Sequence, residues 1–213
     1  MTGPVTGPGR LRAGPDRAAL AVQAAAAAAR DLPELAAAAR ACTACPELAA
    51  TRHTVVVGDL PAGAGLLLVG EAPGVDEDQS GRPFVGRSGR LLDQLLTEAG
   101  LPRSAVAVLN TLKCRPPGNR LPKRLESVRC RGWTERQLEL AAPALVVPLG
   151  LSATRWFLGP TALGPVRGRV HDVGGRAVLP TYHPSAAIRN GPQGEPLRLL
   201  RADLRAAVAL VSG

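Results

Sequence analysis

Aromatic side chains are scarce in this sequence, in which five of the 213 residues are Phe, Tyr or Trp. A hydrophobic core must therefore be filled mainly by Leu, Val and Ala, and the hydrophobic fraction of 46% is large enough for one. Lysine is nearly absent as well. Because Lys113 and Lys123 are the two lysines among 26 basic residues, arginine carries most of the net charge of +9.

This basic excess is typical of proteins that bind nucleic acid or another anionic surface. A GC-rich coding sequence would also enrich Arg, Ala, Gly and Pro, so the charge alone leaves both interpretations open. No apolar run approaches the roughly 20 residues of a membrane-spanning helix, and the Ala-rich stretch 18–29 lacks the bulky apolar core of a signal peptide. We therefore expect a cytoplasmic protein, in which cysteines serve metals or catalysis more often than disulfides.

The chain divides into a tail, an extension and a main domain. Residues 1–15 repeat Gly-Pro and predict a disordered tail. Residues 16–33 predict an Ala-rich helical extension, in which Asp16 caps a first helix and Pro33 begins a second. Residues 34–213 form the predicted main domain.

Strands and helices alternate along the main domain, which predicts an α/β fold. Short apolar runs typical of buried strands alternate with stretches whose apolar residues recur at helical spacing. Gly174-Gly175 separates two further short runs, 169–173 and 176–180, and predicts a hairpin. We expect a three-layer α/β/α sandwich with a central, mostly parallel four-stranded sheet. The predicted strands are 54–57, 66–69, 105–109 and 144–149, and the predicted helices are 89–99, 126–141, 152–157 and 195–211.

Several motifs directly follow predicted strands, where ligands bind in sheets of this kind. The turn 70–74, with sequence GEAPG, lets backbone N–H groups approach a ligand closely. Phe84 lies in a glycine-rich loop and suits either core packing or stacking on a flat base. Asn110 ends a strand, where its amide either forms a turn or pairs with both a donor and an acceptor on the edge of a base. His183 follows the last strand, although a lone histidine is more often structural than catalytic.

Cysteine occurs at four positions, spaced as metal ligands often are. Cys42 and Cys45 form a C-x2-C pair, and Cys114 and Cys130 flank a stiff, turn-rich loop. Four thiolates hold either a tetrahedral zinc ion or a [4Fe–4S] cluster, and spacing alone favours zinc without deciding the matter. Two buried pairs or four free thiols are the further alternative. A metal bound by all four would be structural, because it would have no open ligand position.

In combination these motifs resemble family-4 uracil-DNA glycosylases, the iron–sulfur branch of that superfamily, over roughly residues 35–211. The resemblance implies an enzyme of base excision repair that flips uracil out of DNA and hydrolyses its N-glycosidic bond, leaving an abasic site. It also favours [4Fe–4S] over zinc. One departure is Leu121-Pro122, where the family usually has Thr-Pro. The motifs that carry the resemblance are C-x2-C at 42–45, GEAPG at 70–74, Glu77-Asp78, GRPFVG at 81–86, N-x3-CRPPGNR at 110–120, Cys130, and TYHPS at 181–185.

The resemblance further implies roles in holding and releasing the base. Phe84 would stack on the flipped uracil, Asn110 would read its edge, and His183 would bind its carbonyl oxygen and support the leaving anion. Glu77 would crowd the C5 side against the methyl group of thymine. Glu71 would orient or activate water. The backbone of Gly70, Glu71 and Ala72 would help to hold the base.

The implied partner is DNA containing uracil, single- or double-stranded. Arg87 and Ser88, at a helix N-terminus, suit a phosphate, and Ile188 and Arg189 would wedge into the gap left by the flipped nucleotide. We expect a monomer that is associated with the bacterial nucleoid and makes no contact with a membrane. Two alternatives remain: a damaged-DNA binding module of the same fold with weak catalysis, and a basic zinc-containing scaffold.

Overall fold

The computed structural model describes residues 16–212, and its described part is a three-layer α/β/α sandwich. Its strands are β1 (Leu66–Gly70), β2 (Val106–Asn110), β3 (Leu145–Pro148), β4 (His171–Asp172) and β5 (Ala177–Val178). They form one sheet in the order β2-β1-β3-β5-β4, in which only the β4–β5 pair is antiparallel. The predicted fold class is confirmed, but the sheet has five strands and not four. The predicted tail at 1–15 lies outside the described residues.

Helices cover both faces of this sheet. Asp16 caps the first helix as predicted, because its carboxylate accepts the Ala19 N–H at 2.8 Å. No helix in residues 16–212 is both long and apolar enough to cross a bilayer. The helices are α1 (Arg17–Ala28), α2 (Leu32–Arg40), α3 (Pro46–Thr51), α4 (Val75–Ser80), α5 (Arg87–Glu98), α6 (Arg124–Ala141), α7 (Gly150–Leu158), α8 (Leu163–Val166), α9 (Pro184–Asn190) and α10 (Glu195–Ser212).

The central strands are buried on both faces, which explains why they are continuous apolar runs. Leu66 and Leu68 of β1 pack with residues of α5 and α10 in one cluster. Leu67 and Val69 belong to a second cluster with Leu138 of α6, on the other side of the sheet. Successive side chains of a strand point to opposite faces, so one five-residue strand serves both layers.

Residues 54–57 are the predicted strand that the structure does not contain. Val56 donates its backbone N–H to the Lys113 carbonyl at 2.8 Å, and the Val57 carbonyl accepts the Gln137 side-chain amide at 2.9 Å. Val55 and Val57 are buried. The apolar run therefore indicated burial correctly. Its backbone hydrogen bonds go to a loop carbonyl and to a side-chain amide, however, and not to a neighbouring strand. The hairpin of β4 and β5 extends the sheet instead, which gives five strands.

Helix α1 packs along α6. Arg129 of α6 forms an ion pair with Asp16 at 2.9 Å, and Arg136 donates to the Ala29 carbonyl at 2.8 Å. Val22 and Ala26 are buried in the same cluster as Cys114 and Cys130. The described part of the Ala-rich extension is therefore attached to the layer that contains the cysteines, while the predicted domain boundary at 33/34 stays a prediction.

Candidate active site

Gly70 and Asn110 end two neighbouring parallel strands and are direct partners in the register. A Cβ atom built on Gly70 would lie 2.3 Å from Oδ1 of Asn110 and 2.6 Å from Cζ of Phe84. No side chain fits at this position, so the Asn110 amide and the Phe84 ring meet directly over the backbone of β1. This convergence at the carboxyl edge of the sheet creates the candidate binding slot.

Phe84 is held in an unusual backbone conformation, with φ of 55°. Left-handed φ in a residue with a Cβ costs about 1–3 kcal/mol and persists only where the surroundings enforce it. Gly89 supplies part of this constraint, because a Cβ there would lie 1.7 Å from the Phe84 carbonyl oxygen. α5 can therefore pack directly on the Phe84 backbone.

The carboxylate of Glu77 supplies the rest of the constraint. It accepts the backbone N–H groups of Val85 and Gly86 on Oε1 and that of Gly74 on Oε2, each at 3.0 Å. Glu77 is itself buried. One carboxylate thus joins the turn after β1 to the loop that carries Phe84. The sequence motif Glu77-Asp78 signalled an important pair, but it did not reveal this arrangement.

His183 approaches the slot from the segment after β5, immediately before α9. Its Nδ1 accepts the backbone N–H of Ser185 at 3.1 Å, which places the proton of the neutral ring on Nε2. Burial lowers the pKa of His183 to about 4, and the charge of Arg189 acts in the same direction, while Glu77 opposes it. At neutral pH the ring is therefore uncharged and presents Nε2–H as a donor.

The rings of Phe84 and His183 lie with centroids 5.8 Å apart and are tilted by 38°. Together with the approach of Phe84 and Asn110 over Gly70, this spacing brings an aromatic ring, an amide and an imidazole together at the carboxyl edge of the sheet. Three segments that are distant in sequence provide them: the loop before α5, the end of β2 and the segment before α9.

Hydrogen bonds to the end of β2 fix the backbone of the GEAPG turn. The Glu71 carbonyl accepts the Leu112 N–H at 2.9 Å and the Thr111 hydroxyl at 3.0 Å. The Thr111 N–H donates to the Gly70 carbonyl at 2.9 Å. Glu71 itself is partly exposed at the same edge. Thr111 could not be predicted from the sequence, since a buried threonine after a strand carries no motif.

The four side chains assigned to DNA lie on two helices that pack against each other, α5 and α9. Arg87 and Arg189 are exposed, and Ser88 and Ile188 are partly buried. Arg189 lies near the Ser185 hydroxyl, at 3.5 Å. Arg87 and Ser88 thus lie at the start of α5, just after Phe84, whereas Ile188 and Arg189 lie in the last turn of α9, which begins directly after His183.

The four cysteines line a single cavity and none forms a disulfide. Arg52 donates to Sγ of Cys114 at 3.2 Å, and the Lys113 N–H donates to Sγ of Cys130 at 3.3 Å. Side chains from α2, α3, α6 and the loop after β2 contribute to the wall. A group bound in this cavity would join the N-terminal helices to the end of β2.

The cavity brings four thiols together with a buried donor, which are the groups that a bound metal centre would contact. Burial raises the pKa of Cys45 to about 11 and that of Cys130 to about 12, so unliganded thiols would stay protonated there. Within residues 16–212 no group of three or more His, Cys, Asp or Glu side chains is placed so that it could hold a metal ion. Trp133 also lines the cavity, and its buried indole N–H lacks a partner among the described residues. The inorganic sulfides of a cluster are acceptors that such a donor could use.

Comparison with known proteins identifies the family. The model of the uracil DNA glycosylase superfamily matches residues 57–205. The chain belongs to this superfamily. A type-4 uracil-DNA glycosylase of Thermotoga maritima is 41% identical over 173 residues, which are 80% of this chain and 89% of the relative. Type-4 enzymes of Archaeoglobus fulgidus and Saccharolobus solfataricus are 40% identical over 156 residues and 38% over 163. They match 69% and 72% of this chain, and 78% and 75% of their own lengths.

The resemblance to family-4 uracil-DNA glycosylases is thereby confirmed. Two further features of this superfamily member escaped sequence analysis. The ammonium group of Lys113 is buried and donates to the Asn110 carbonyl at 2.7 Å. Asp203 of α10 is also buried and accepts the hydroxyl of Thr181, two residues before His183, at 2.6 Å. Lys113 occupies an unspecified position of the motif at 110–120, and Asp203 belongs to no motif, so the partners of both residues are known only from the fold.

Proposed function

We propose that this chain is a DNA-repair glycosylase that releases uracil from DNA by hydrolysing the bond between C1′ of deoxyribose and N1 of the base. The observation that carries the proposal is the convergence of Phe84, Asn110 and His183 on one slot in a member of the uracil-DNA glycosylase superfamily. Relatives about 40% identical over most of the chain are named type-4 uracil-DNA glycosylases, which supports the same activity.

The slot receives a nucleotide that has left the helix. A base inside a duplex is unreachable, and extruding it costs a few kcal/mol. The Phe84 ring, held by Glu77 and by the contact at Gly89, stacks on the flipped base without having to be ordered during binding. The preformed ring therefore recovers part of the energy lost when the base leaves the stack.

Asn110 selects the base. Its amide offers a carbonyl acceptor and an N–H2 donor, which match the N3–H and O4 of uracil. Its side chain is buried and makes no hydrogen bond with the residues that the structure describes. Cytosine presents the opposite pattern, with an acceptor at N3 and a donor at C4, so it would leave the amide unpaired inside the slot.

His183 supports the leaving group. When the C1′–N1 bond breaks, its electron pair stays on uracil and spreads onto the carbonyl oxygens. The neutral ring donates Nε2–H to one of these oxygens as negative charge develops. A donor aimed at such charge lowers the barrier by about 3–4 kcal/mol. No proton transfer is required, because the uracil anion is a tolerable leaving group.

Glu71 completes the hydrolysis. Its partly exposed carboxylate orients a water molecule toward C1′, which carries positive charge once the base departs. The water oxygen bonds to C1′ and its proton passes by way of the Glu71 carboxylate to solvent, while the uracil anion takes up a proton from solvent. An abasic site and neutral uracil remain. The backbone of Gly70, Glu71 and Ala72, fixed by Thr111 and Leu112, helps to hold the base.

Specificity and DNA binding involve the rim of the slot. Glu77 accepts the backbone N–H of Val85 in the loop that carries Phe84. From there it crowds C5 of the bound base and so excludes the 5-methyl group of thymine. Arg87 and Ser88 bind a backbone phosphate, and Ile188 and Arg189 fill the gap in the duplex. The chain acts on DNA as a monomer, in the cytoplasm and at the nucleoid.

Cys42, Cys45, Cys114 and Cys130 would hold a [4Fe–4S] cluster. Bound there, the cluster supplies a rigid cross-link between the N-terminal helices and the end of β2, rather than a reaction step. Iron and acid-labile sulfide in a ratio near four each per chain, with broad absorbance at the blue end of the visible spectrum, are expected. A stoichiometric zinc ion in colourless protein would contradict this part of the proposal.

The decisive experiment uses an end-labelled oligonucleotide with a single uracil. Treatment with the protein and then with alkali is expected to break the strand at that site, while matched oligonucleotides with cytosine or thymine stay intact. Asn110→Ala and His183→Ala should each lose about 100-fold or more in rate. His171→Ala, a histidine of β4, serves as the matched control and should keep the wild-type rate. Salt-sensitive DNA binding without base release would instead indicate a damage-binding module.

A further inference from the structure

Lys113 is almost fully buried, with 1% of its surface exposed. Lysine is rarely buried to this degree unless its charge has a partner. Within residues 16–212 its ammonium group makes one hydrogen bond, to the backbone carbonyl of Asn110 at 2.7 Å, and no ion pair with a carboxylate. A strong, charge-assisted hydrogen bond therefore connects this buried cation to the residue that reads the base.

The backbone of Lys113 is fixed on both sides as well. Its N–H donates to Sγ of Cys130 at 3.3 Å, and its carbonyl accepts the Val56 N–H at 2.8 Å. Lys113 also lines the cysteine cavity, next to Cys114 and Cys130. Lys113 thus lines the cysteine cavity and also forms a hydrogen bond with the backbone of Asn110 in the candidate uracil slot.

The end of β2 needs such a bond. The register of β1 and β2 ends at Gly70 and Asn110, and the chain then leaves the sheet. A buried carbonyl without a partner is costly, and an unanchored peptide plane at Asn110 could rotate. The bond from Lys113 fixes that plane, and with it the direction in which the Asn110 side chain projects over Gly70.

We propose that Lys113 is a positioning residue for uracil recognition, whose buried ammonium group fixes the Asn110 peptide and thereby connects the uracil slot to the wall of the cysteine cavity. The inference rests on the proposed uracil release, since it assigns how Asn110 is oriented for that reaction. Lys113 does not touch the base and acts only through Asn110.

Lys113→Met is the principal test, because methionine is unbranched and fills a similar volume without charge or donors. Single-turnover uracil release is expected to slow by about 10-fold to 100-fold, the effect of misplacing a recognition group by a fraction of an ångström. The KM for DNA should change by less than about threefold, because phosphate contacts lie elsewhere. Inhibition by free uracil should weaken in parallel with the rate. The matched control is Lys123→Met, which alters the exposed lysine that pairs with Glu47 and should leave all three values unchanged.

A double-mutant cycle separates positioning from general damage. In an Asn110→Ala background, Lys113→Met should slow the reaction by less than about twofold, because the group it positions is gone. Equal slowing in both backgrounds, or a wild-type rate in Lys113→Met, would overturn the inference. Iron content and the thermal unfolding midpoint are measured on every variant. Should Lys113→Met fail to fold, Lys113→Arg, which keeps the charge but moves the donor atoms, enters the same cycle with the same expected coupling. An inactive wild-type protein would overturn the proposed function instead.

Discussion

Gly70 and Asn110 are opposite each other at the ends of β1 and β2, and a Cβ on Gly70 would lie 2.3 Å from Oδ1 of Asn110. The same Cβ would lie 2.6 Å from Cζ of Phe84. The missing side chain is therefore what allows an amide and an aromatic ring to share the space above one strand end. Glycine acts here through its size alone, since its φ is not in the left-handed region.

Gly70→Ala should close the slot while leaving the sheet intact. The added methyl group must displace the Asn110 amide, the Phe84 ring or both, and we expect uracil release to fall by about 100-fold or more. Gly65→Ala is the matched control, because a Cβ at Gly65 meets only Val211, at an ordinary 3.6 Å. Single-turnover assays on a uracil oligonucleotide test the pair. Similar rates in both variants would show that the slot is not where the base binds.

The partly buried imidazole of His183 predicts a particular pH dependence of stability. Its folded-state pKa of about 4 lies below the roughly 6.5 of an exposed histidine. Between these values the unfolded chain binds a proton that the folded chain does not, so acidification through this window favours unfolding.

Between about pH 7 and about pH 5, the free energy of unfolding should therefore fall by about 1–2 kcal/mol more in the wild type than in His183→Gln, which cannot titrate. Urea unfolding of both proteins at both pH values measures the difference. NMR titration of the ring should show a neutral Nε2–H tautomer down to about pH 5. Equal pH dependence in the two proteins, or a charged ring at neutral pH, would contradict the assigned tautomer and charge.

Much of the fold could be predicted because its signals are local. The runs that became β1, β2 and β3 are apolar over their whole length, and Gly174-Gly175 marks the turn of the β4–β5 hairpin. Residues 54–57 were wrongly predicted to be a strand. An apolar run indicates that its residues are buried, but it does not indicate which groups form hydrogen bonds with its backbone. The runs 169–173 and 176–180 were predicted as a hairpin but were not counted in the central sheet, to which each contributes a strand of only two residues.

The supports of the site could not be predicted, because each depends on residues that only the fold brings together. A glutamate in a helix gives no sign that it will accept three backbone N–H groups from two loops, as Glu77 does. The φ of Phe84 follows from that contact and from the approach of α5 at Gly89. Lys113 looks like one more basic residue in a basic chain until its burial is known.

Glu77→Gln tests the loop constraint. The carboxamide has one acceptor oxygen, and its N–H2 would face backbone donors, so at least one N–H of Gly74, Val85 or Gly86 loses its partner. We expect a loss of about 2 kcal/mol or more in stability and a fall of about 10-fold or more in uracil release, because Phe84 is no longer held. Thermal unfolding and the uracil assay measure both. Glu98→Gln, on the surface of α5, is the control.

The separate role of Glu77 against thymine has its own measurement. A T·G oligonucleotide and a uracil oligonucleotide are each treated with Glu77→Ala, which removes the proposed carboxylate from the C5 side. Because this variant also loses the loop constraint, its rate on uracil falls, and the expected result is a ratio of thymine release to uracil release above that of the wild type. A variant that still folds, still releases uracil and leaves thymine untouched would show that the carboxylate only holds the loop.

Thr181 and Asp203 connect the segment of His183 to the closing helix. Asp203 is buried and accepts the Thr181 hydroxyl at 2.6 Å and the Arg167 guanidinium at 2.7 Å. Thr181→Val keeps the shape and removes the hydroxyl, so the carboxylate loses a charge-assisted bond worth about 1–3 kcal/mol. The unfolding midpoint should fall by about 2–4 °C for each kcal/mol lost.

Because His183 is two residues further along, the rate of uracil release should fall in the same variant by about 3-fold to 10-fold, a partial loss of alignment. Thr97→Val, in which an exposed helical threonine loses a bond to the Asp93 carbonyl, is the matched control and should change neither quantity. Asp203→Asn should resemble Thr181→Val in rate but be less stable, since it also weakens the pair with Arg167. A stable, fully active Thr181→Val would show that β5 and α9 alone hold the imidazole in place, with no help from α10.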